Sequence, residues 1–424
     1  MWLDSYRNMP FQNLSMKTND KRKGILIISL YFVPSIRAGA KRFTFLSPIL
    51  KSKYPDLHIL TLKESYFSPR DDSLSFSGTV HRTGIYPAYP LKRNNFIKKI
   101  LKRLWVDYLC LVDPYSGWIV PALIRGLKIL KENRIDLIIT TCPPFSAIVV
   151  GFLLSRLTKV KLLLDYRDPW TNHNRKFCKI FGKRIGLLFE RLSVKQASAL
   201  VFCSRIMKEN FNDSLGKYSK APRHVITNGF HGRNTSQQLV LEKGKKSMIY
   251  AGTFYGQRKI GFLSKPLLKL LDEGSITKDS FCVHVFGELT DEDSQVLRES
   301  DLLDIIKVHD AVSYEQMITY LKTADILFLI SAPDVRYAIP LKFFDYLSVR
   351  RPILAVAAKD SAVADLMNEI DCGRLALINS QESILHNLRM MIFEEKEYSY
   401  SGIELYTWEK IGEEYLRVID EVAC

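Results

Sequence analysis

The chain has 424 residues, more than one ordinary hydrophobic core accommodates, and this length predicts two domains. Hydrophobic residues make up 47% of the chain and charged residues 25%, which is typical of a soluble globular protein. The seven cysteines are scattered, without a CxxC pair or a His/Cys cluster. This pattern favours a reducing compartment and argues against structural zinc.

The sequence also argues against a secretion signal and a membrane span. Residues 1–23 are polar and charged, and they lack the apolar core of a signal peptide. The longest apolar run, residues 145–154, is far shorter than the ~20 residues that a transmembrane helix needs. We therefore expect a cytoplasmic protein whose only membrane contact is peripheral, at the inner face of the cell membrane.

Charge is divided unevenly along the chain. Residues 1–230 hold 39 Lys and Arg against 15 Asp and Glu, whereas the remaining residues hold 22 against 30. This asymmetry predicts that the first half faces an anionic partner. Nucleic acid, acidic lipid headgroups and a phosphorylated acceptor all fit it.

Apolar runs that alternate with helical stretches predict the architecture. A first series of strands is expected at residues 24–30, 58–62, 135–140, 160–165 and 199–203, and a second at 248–252, 281–286, 305–309, 326–330 and 352–357. This α/β pattern predicts two Rossmann-like, doubly wound parallel-sheet domains that face a cleft. The domains are expected at residues 24–230 and 231–405, after an extension at 1–23, with a terminal helix at 406–424 packing back on the first domain.

A basic amphipathic segment at residues 91–105 indicates a membrane contact. Its apolar and basic side chains fall on opposite helical faces, and it contains no acidic residue. The predicted contacts are Phe96, Lys98, Lys99, Lys102, Arg103 and Trp105. The alternative is an ordinary helix that faces the core and has a solvated basic back. Residues 175–191 form a second basic stretch.

The segment 164–170 concentrates charge where a strand ends. Asp165, Arg167 and Asp168 precede Pro169 and Trp170, and the proline disfavours helix at the residue before it. Three charged side chains at a strand end are costly unless they bind a ligand or pair with one another. The segment is therefore a candidate site, and a structural Arg167–Asp168 turn is the alternative.

Residues 250–259 predict a glycine turn between a strand and a helix. Gly252 lets the backbone amides, including that of Thr253, approach a phosphate, and Arg258 and Lys259 would offset the charge of a diphosphate. An ordinary strand–helix turn with surface cations is the alternative.

Residues 338–356 predict a helix that begins at a proline, followed by a buried strand. Lys342 and Asp345 share one face of this helix behind Pro340. A lysine at a helix N-terminus suits phosphate, and a nearby carboxylate suits ribose hydroxyls. The alternative is a solvent-exposed lysine–aspartate pair.

These segments together resemble the family-4-like glycosyltransferases, which have the GT-B fold. In that family a proline, a lysine and an acid precede a tyrosine, and an R/G-x-P-x-x-A strand follows, as at residues 340–356. The D-x-R-D-x-W signature of a subset of the family matches residues 165–170. The loop after the first strand is also similar, although only Gly39 and Arg42 of its pattern persist.

The resemblance implies transfer of a sugar from a nucleotide diphosphate sugar to a lipid-linked or growing glycan acceptor in surface polysaccharide biosynthesis. The expected donor-binding residues are Gly252, Thr253, Arg258, Lys259, Pro340, Lys342 and Asp345. Gly39 and Arg42 are expected to bind the acceptor. Asp168 would orient the acceptor hydroxyl or act as its base, beside Arg167. The nucleotide sugar is a co-substrate, and no cofactor, metal or nucleic acid is expected.

The sequence departs from the family pattern at two positions. Thr253 stands where an arginine often follows the glycine, so Arg258 is expected to substitute for it. Many retaining members carry two acids eight positions apart; Asp345 can stand for the second, but Tyr337 stands at the first, so the expected retaining outcome lacks one of its usual carboxylates. Asp291 and Asp293 form a D-x-D pattern, which we interpret as the acidic first turn of a capped helix rather than a metal site.

Two other functions remain open from the sequence. A sugar-nucleotide epimerase of the same fold would use the same donor site without an acceptor. A non-enzymatic nucleic-acid or membrane-binding protein would use the basic half, although the sequence contains no recognised nucleic-acid module.

Overall fold

Seven parallel strands form the sheet of the first domain. The computed structural model describes residues 24–35, 37–67, 70–72, 74–86, 112–170, 182–232, 241–242 and 244–423. The strands lie in the order β3-β2-β1-β4-β5-β6-β7. They are β1 (Gly24–Ile28), β2 (Asp56–Leu62), β3 (Thr79–Thr83), β4 (Ile135–Cys142), β5 (Lys161–Tyr166), β6 (Ala199–Phe202) and β7 (Arg223–Val225). Strands β1, β2 and β4–β6 are almost continuously buried because helices cover both faces of the sheet.

Five α-helices of the first domain are described. They are α1 (Ala38–Lys53), α2 (Ile119–Glu132), α3 (Ser146–Thr158), α4 (Gly182–Gln196) and α5 (Arg205–Leu215). Helices α2, α3 and α4 stand side by side on one face of the sheet, and α1 lies on the other.

The second domain repeats this architecture with six parallel strands in the order β10-β9-β8-β11-β12-β13. The strands are β8 (Lys246–Ala251), β9 (Phe281–Phe286), β10 (Ile306–His309), β11 (Ile326–Ile330), β12 (Ile353–Ala357) and β13 (Gly373–Leu377). The helices are α6 (Gly261–Asp272), α7 (Asp291–Arg298), α8 (Tyr314–Thr323), α9 (Leu341–Ser348), α10 (Ala362–Glu369) and α11 (Gln381–Phe393). The predicted fold of two doubly wound parallel-sheet domains is confirmed.

The last helix, α12 (Trp408–Ala423), packs on the first domain. The ring of Tyr415 meets that of Phe43 on α1 at a centroid distance of 5.6 Å. Gly412 lies so close to Ile49 that an added Cβ would stand 2.6 Å from its side chain. The end of the chain therefore crosses back and joins the two domains.

The sheet order determines where ligands bind in such a fold. It reverses direction at the β1/β4 pair in the first domain and at the β8/β11 pair in the second. At such switch points the loops diverge and leave a crevice beyond the carboxyl ends of the strands. The predicted site residues follow these strands or their neighbours.

Several predicted features lie outside the described residues. The basic segment 91–105 with its six predicted membrane contacts does so, as do residues 1–23 and the stretch 175–181. Among the helices of the described ranges, none is both long enough and apolar enough to cross a membrane.

Candidate active site

The second-domain turn after β8 is built around two glycines with positive φ. Gly252 has a φ of 142°, and an added Cβ would lie 2.5 Å from the Lys342 Nζ. Gly287, with a φ of 146°, packs directly on the Gly252 carbonyl group. The Gly252 amide donates to the Phe286 carbonyl oxygen at 2.8 Å. Glycine is needed at position 252 because no other residue combines this backbone conformation with the approach of the ammonium group.

Lys342 provides the central charge of this turn. It lies in the first turn of α9, and its Nζ is 4.1 Å from the ring centroid of Tyr250 on β8. Burial, helped by the nearby Arg258 guanidinium, lowers the pKa of Lys342 to about 7. No carboxylate of the described residues forms an ion pair with it. A bound anion would therefore complete its electrostatic environment and favour the protonated form.

The two cations after the glycine turn occupy different environments. The Arg258 guanidinium donates to the Tyr255 hydroxyl and stacks on its ring at 4.8 Å, while its buried Nε has no hydrogen-bond partner among the described residues. Lys259 instead forms an ion pair with the exposed Glu292, which raises the pKa of Lys259. Arg258 thus lies beside Lys342, whereas a ligand would have to draw Lys259 away from Glu292.

The Asp291–Asp293 pattern lies in the first turn of α7. Thr290 caps this helix by accepting a hydrogen bond from the Asp293 amide at 3.1 Å. The buried Asp293 carboxylate accepts from the Ile260 amide at 2.9 Å and so ties α7 to the start of α6. Within the described ranges, no group of three or more His, Cys, Asp or Glu residues has the geometry to hold a metal ion.

Asp345 lies where the second domain meets the first. Its Oδ1 accepts a 2.8 Å hydrogen bond from the Tyr314 hydroxyl at the start of α8. Lys41 of α1 places its Nζ 4.2 Å from the Tyr314 ring centroid. Burial raises the pKa of Asp345, and Lys41 and the Tyr314 hydrogen bond act against that rise. The carboxylate predicted to bind ribose is therefore held by a tyrosine and a first-domain lysine that the sequence did not single out.

In the first domain, Arg167 and Gly39 lie together at the carboxyl edge of the sheet. The Arg167 Nε donates to Thr141 Oγ1 at 3.0 Å, and one of its terminal nitrogens donates to the Pro143 carbonyl oxygen. An added Cβ on Gly39 would lie 2.5 Å from the guanidinium, so glycine is what allows α1 to begin there. Asp168 follows on the same partly buried turn.

Arg42, which the sequence predicted to bind the acceptor, is buried below the surface of the cleft. Its side chain is 1% exposed. Its guanidinium forms an ion pair with the buried Asp165 at 3.0 Å. It also donates to the Ile226 and Thr227 carbonyl oxygens at 2.9 and 2.7 Å. Arg42 thus holds α1, β5 and the chain after β7 together, and an acceptor in the cleft would meet Gly39 and Arg167 before it.

Tyr337 and its neighbours join the domains on the other side of the cleft. Tyr337 packs among first-domain core residues, and its carbonyl oxygen accepts a hydrogen bond from Ser204 Oγ at the start of α5. Arg205 forms an ion pair with Asp365 of α10 at 2.9 Å. The position at which many retaining relatives carry an acid is therefore an interdomain contact in this chain.

The geometry brings the predicted residues into two groups at the facing edges of the domains. Gly252, Thr253, Arg258, Pro340 and Lys342 surround the second-domain turn, and Asp345 lies on the same helix, α9. Gly39, Arg167 and Asp168 form the first-domain group. Pro340 is the N-cap of α9, whose first turn contains no acid and receives no side-chain cap. Its free amides and Lys342 provide an anion-binding arrangement.

Comparison with known proteins identifies the type of domain and the fold. Residues 56–229 match the family model for the glycosyl transferase 4-like domain. Sucrose-phosphate synthase from Thermosynechococcus elongatus is 14% identical, with a TM-score of 0.66 over 95% of this chain and 99% of that chain. HepE from Anabaena, solved with UDP and glucose, is 13% identical, with a TM-score of 0.64 over 94% of this chain and 100% of that chain.

The lipopolysaccharide outer core galactosyltransferase WaaB, in its apo form, is 12% identical. Its TM-score is 0.58 over 94% of this chain and 99% of that chain. A comparison with curated protein sequences finds no match. The family resemblance and the GT-B fold predicted from the sequence are confirmed by the domain match and by these structures. Residues 56–229 are similar to a glycosyl transferase 4-like domain, and the whole chain has the GT-B fold.

Proposed function

We propose that the protein transfers a sugar from a nucleoside diphosphate sugar to a lipid-linked or growing glycan acceptor. The observation that carries this proposal is the second-domain turn, where Lys342 lies against Gly252 without a carboxylate partner among the described residues. Arg258 lies beside it, and the uncapped N-terminus of α9 begins one residue earlier. The HepE structure with UDP and glucose supports a nucleotide sugar as the ligand.

The chemistry follows from where negative charge develops. When the bond between the sugar and the diphosphate breaks, the departing diphosphate gains charge, and preformed donors lower the barrier by stabilising it. Lys342, Arg258 and the amides of the Gly252–Thr253 turn and of α9 would supply this stabilisation, with Lys259 added if it leaves Glu292. Asp345 would accept from the ribose hydroxyls. Because these fixed cations offset the charge, the proposal includes no metal or other cofactor.

The acceptor is proposed to bind at the first-domain group. Asp168 would orient the acceptor hydroxyl or accept its proton, and Arg167, fixed by Thr141 and the Pro143 carbonyl, would hold the turn that carries Asp168. Closure of the domains would bring the two groups together and exclude water. We expect a retaining outcome, with Asp345 at the position of the second of the two usual acids and Tyr337 at that of the first.

We further propose that the acceptor belongs to a surface glycan and that the protein works at the inner face of the cell membrane. The excess of basic residues in the first half and the basic segment 91–105 support this setting. Deleting residues 91–105 should release the protein from anionic vesicles while leaving nucleotide binding intact. Unchanged vesicle sedimentation at physiological salt would remove that segment from the proposal.

Thermal unfolding in the presence of UDP, GDP, ADP and CMP tests the donor site. A ligand at ~100 times its dissociation constant adds about 2.7 kcal/mol to stability, which raises the Tm by several degrees. We expect one nucleoside diphosphate to raise the Tm selectively. The same ligand concentration should give the full shift in a Lys278→Ala control, whose exposed lysine lies away from the turn, and roughly half of it or less in Lys342→Ala. Absence of a shift with every nucleotide would contradict the proposal.

A further inference from the structure

The outer helices of the first domain carry a set of exposed apolar side chains. Val120 and Ile124 on α2 are 63% and 60% exposed, and Leu157 at the end of α3 is 59% exposed. On α4, Leu188 is 55% exposed and Leu192 is 39% exposed. Exposing this much apolar surface to water is unfavourable. A group of exposed apolar side chains therefore indicates a surface that contacts an apolar partner. We call this surface the α2–α4 face.

The three helices are neighbours and run parallel, since each leads back to the start of a parallel strand. Gly126 on α2 packs against Leu154 on α3, where an added Cβ would lie 2.5 Å from the leucine. The rings of Phe152 on α3 and Phe189 on α4 meet at 6.3 Å. These contacts set the three helices side by side, with Ile124 two residues before Gly126 and Leu188 one residue before Phe189. The exposed side chains form a band across the face, which extends from Val120 and Ile124 in the half nearest the cleft, through Leu188 at mid-height, to Leu157 and Leu192 farther from the cleft.

The same type of exposure is dispersed in the second domain. Its exposed large apolar residues among those described lie on separate elements; they are Tyr255, Val296, Leu303, Val308, Phe393 and Leu405. Single exposed apolar side chains are normal in globular proteins. The grouping on three adjacent helices thus distinguishes the first domain.

Cations surround the apolar band. The described side chains of α2, α3 and α4 include seven Lys and Arg against two acids, and one of those acids, Glu190, is buried. The other, Glu132, is paired with Lys128 at 3.6 Å. The exposed cations are Lys128, Lys131, Arg156, Arg184, Arg191 and Lys195. An apolar band edged by an excess of cations over acids is complementary to an anionic bilayer, in which acyl chains lie beneath negative headgroups.

We propose that the α2–α4 face docks on an anionic phospholipid membrane, with Ile124, Leu157 and Leu188 entering the headgroup region. The cations at its edge would contact the lipid phosphates. Because Val120 and Ile124 lie toward the carboxyl edge of the sheet, docking would hold the cleft near the membrane surface. This proposal rests on the proposed function in one respect only. A lipid-linked acceptor in the same membrane would then lie close to Arg167 and Asp168.

Vesicle sedimentation of the full chain tests this surface without any donor or acceptor. The probe is a vesicle of phosphatidylcholine with about one third phosphatidylglycerol, at 0.15 M salt. The test variant combines Ile124→Ser, Leu157→Ser and Leu188→Ser. The matched control combines Leu303→Ser, Phe393→Ser and Leu405→Ser, which are 56%, 53% and 60% exposed in the second domain.

We expect the test variant to lose at least tenfold in its partition onto anionic vesicles, while the control variant binds like the unaltered protein. Pure phosphatidylcholine vesicles should bind the unaltered protein weakly, because the cations then have no anionic headgroups to meet. Equal binding by the test variant and the unaltered protein would overturn the proposal. Nucleotide-induced Tm shifts measured on the same samples separate this outcome from failure of the donor site, since they do not depend on the α2–α4 face.

Discussion

The cations at the facing edges of the two domains differ in how the protein neutralises them. In the first domain, Arg42 is enclosed by Asp165 and backbone carbonyls, and Arg167 is held by Thr141 and the Pro143 carbonyl. In the second, the Lys342 ammonium lies against the Tyr250 ring and the Gly252 turn, and it forms no ion pair with a carboxylate of the described residues. Removing a cation that is paired with a buried carboxylate destabilises the fold. A cation that has no acidic partner in the protein is instead a candidate for binding an anionic ligand.

The largest expected effect is a loss of stability when the buried Arg42 is replaced. Arg42→Ala leaves the Asp165 carboxylate buried without its cation, which costs about 3–5 kcal/mol of unfolding free energy. Differential scanning calorimetry should show a Tm lower by roughly 10 °C. Arg205→Ala is the control, because its ion pair with Asp365 is exposed and should contribute little to stability. Similar losses for both variants would contradict the structural role of Arg42.

Lys342, which has no acidic partner among the described residues, should affect ligand binding rather than stability. Lys342→Ala should weaken binding of the preferred nucleoside diphosphate by about 10- to 100-fold, since hydrogen bonds to charged groups contribute about 1.5–3 kcal/mol. Without ligand, its Tm at pH 7 should be unchanged or slightly higher, because a poorly solvated ammonium has been removed. A large loss of stability without a loss of affinity would place Lys342 in the same class as Arg42.

The pH dependence of nucleotide binding sharpens the comparison. Because the pKa of Lys342 is about 7 in the free protein, its ammonium form predominates below that pH and its amine form above. Affinity should therefore fall as the pH rises from 7 to 8.5, by up to tenfold per pH unit. Lys342→Ala, titrated in parallel, shows the part of the pH dependence that comes from the nucleotide's own phosphate. Subtracting this part leaves the contribution of Lys342. A slope equal in both proteins would show that Lys342 keeps its proton throughout.

The lowered pKa of Lys342 affects stability in the opposite direction: a higher pH weakens nucleotide binding but stabilises the ligand-free protein. Between pH 7 and 10.5 the unfolded chain keeps the Lys342 proton and the folded chain has lost it, so Lys342 makes the unfolding free energy rise with pH. Chemical denaturation of the ligand-free protein at pH 7 and 9 measures this. The rise should be smaller in Lys342→Ala.

A smaller effect is expected at the interdomain tyrosine. Tyr314→Phe removes the hydrogen bond to Asp345 and should weaken nucleotide binding by about two- to tenfold, corresponding to about 0.5–1.5 kcal/mol. Calorimetric titration with a nucleoside diphosphate and with inorganic diphosphate separates the contributions. Only the nucleoside should be affected if Asp345 contacts the ribose; an equal loss for both ligands would contradict that contact.

The smallest predicted effect arises from a histidine pair that occurs in both domains. His58 Nδ1 lies 2.9 Å from His81 Nε2 across β2 and β3, and His284 Nδ1 lies 2.9 Å from His309 Nε2 across β9 and β10. In each pair, the outer histidine lies two residues beyond the register partner of the inner one. The two domains therefore share this detail as well as their strand order.

These pairs predict a loss of stability in acid. Burial, helped by the partner histidine, lowers the pKa of His81 and of His284 to about 4. The unfolded chain takes up protons at these positions below about pH 6.5, and the folded chain resists until about pH 4, so stability falls across that interval. The denaturation midpoint of His81→Asn should fall less steeply between pH 6.5 and 4 than that of the unaltered protein. Parallel slopes would exclude His81 as a cause.

The sequence was sufficient for the fold because its buried strands are continuous apolar runs. The strands it did not predict are β3, β7 and β13, which lie at the edges of the sheets and have mixed or partial burial. An edge strand with one solvated side lacks the apolar run that identifies an interior strand. Topology was therefore predictable, and the full strand number was not.

The same division applies to the candidate site. Gly252, Pro340 and Lys342 were identifiable because a turn and a helix N-terminus have local sequence signals. Tyr314 and Lys41 were not, since they meet Asp345 only through contacts between distant segments. The burial of Arg42 had one available signal: Asp165 follows three buried leucines in β5, and a buried carboxylate requires a partner.

Calorimetric titration of Lys342→Ala, alongside the unaltered protein and Lys278→Ala, tests the central claim most directly. The ligand is whichever nucleoside diphosphate raises the Tm, at pH 6.5, where Lys342 is mainly protonated. The account predicts a dissociation constant 10- to 100-fold higher for Lys342→Ala and an unchanged one for Lys278→Ala. Equal affinity in all three proteins would show that the second-domain turn is not the diphosphate site.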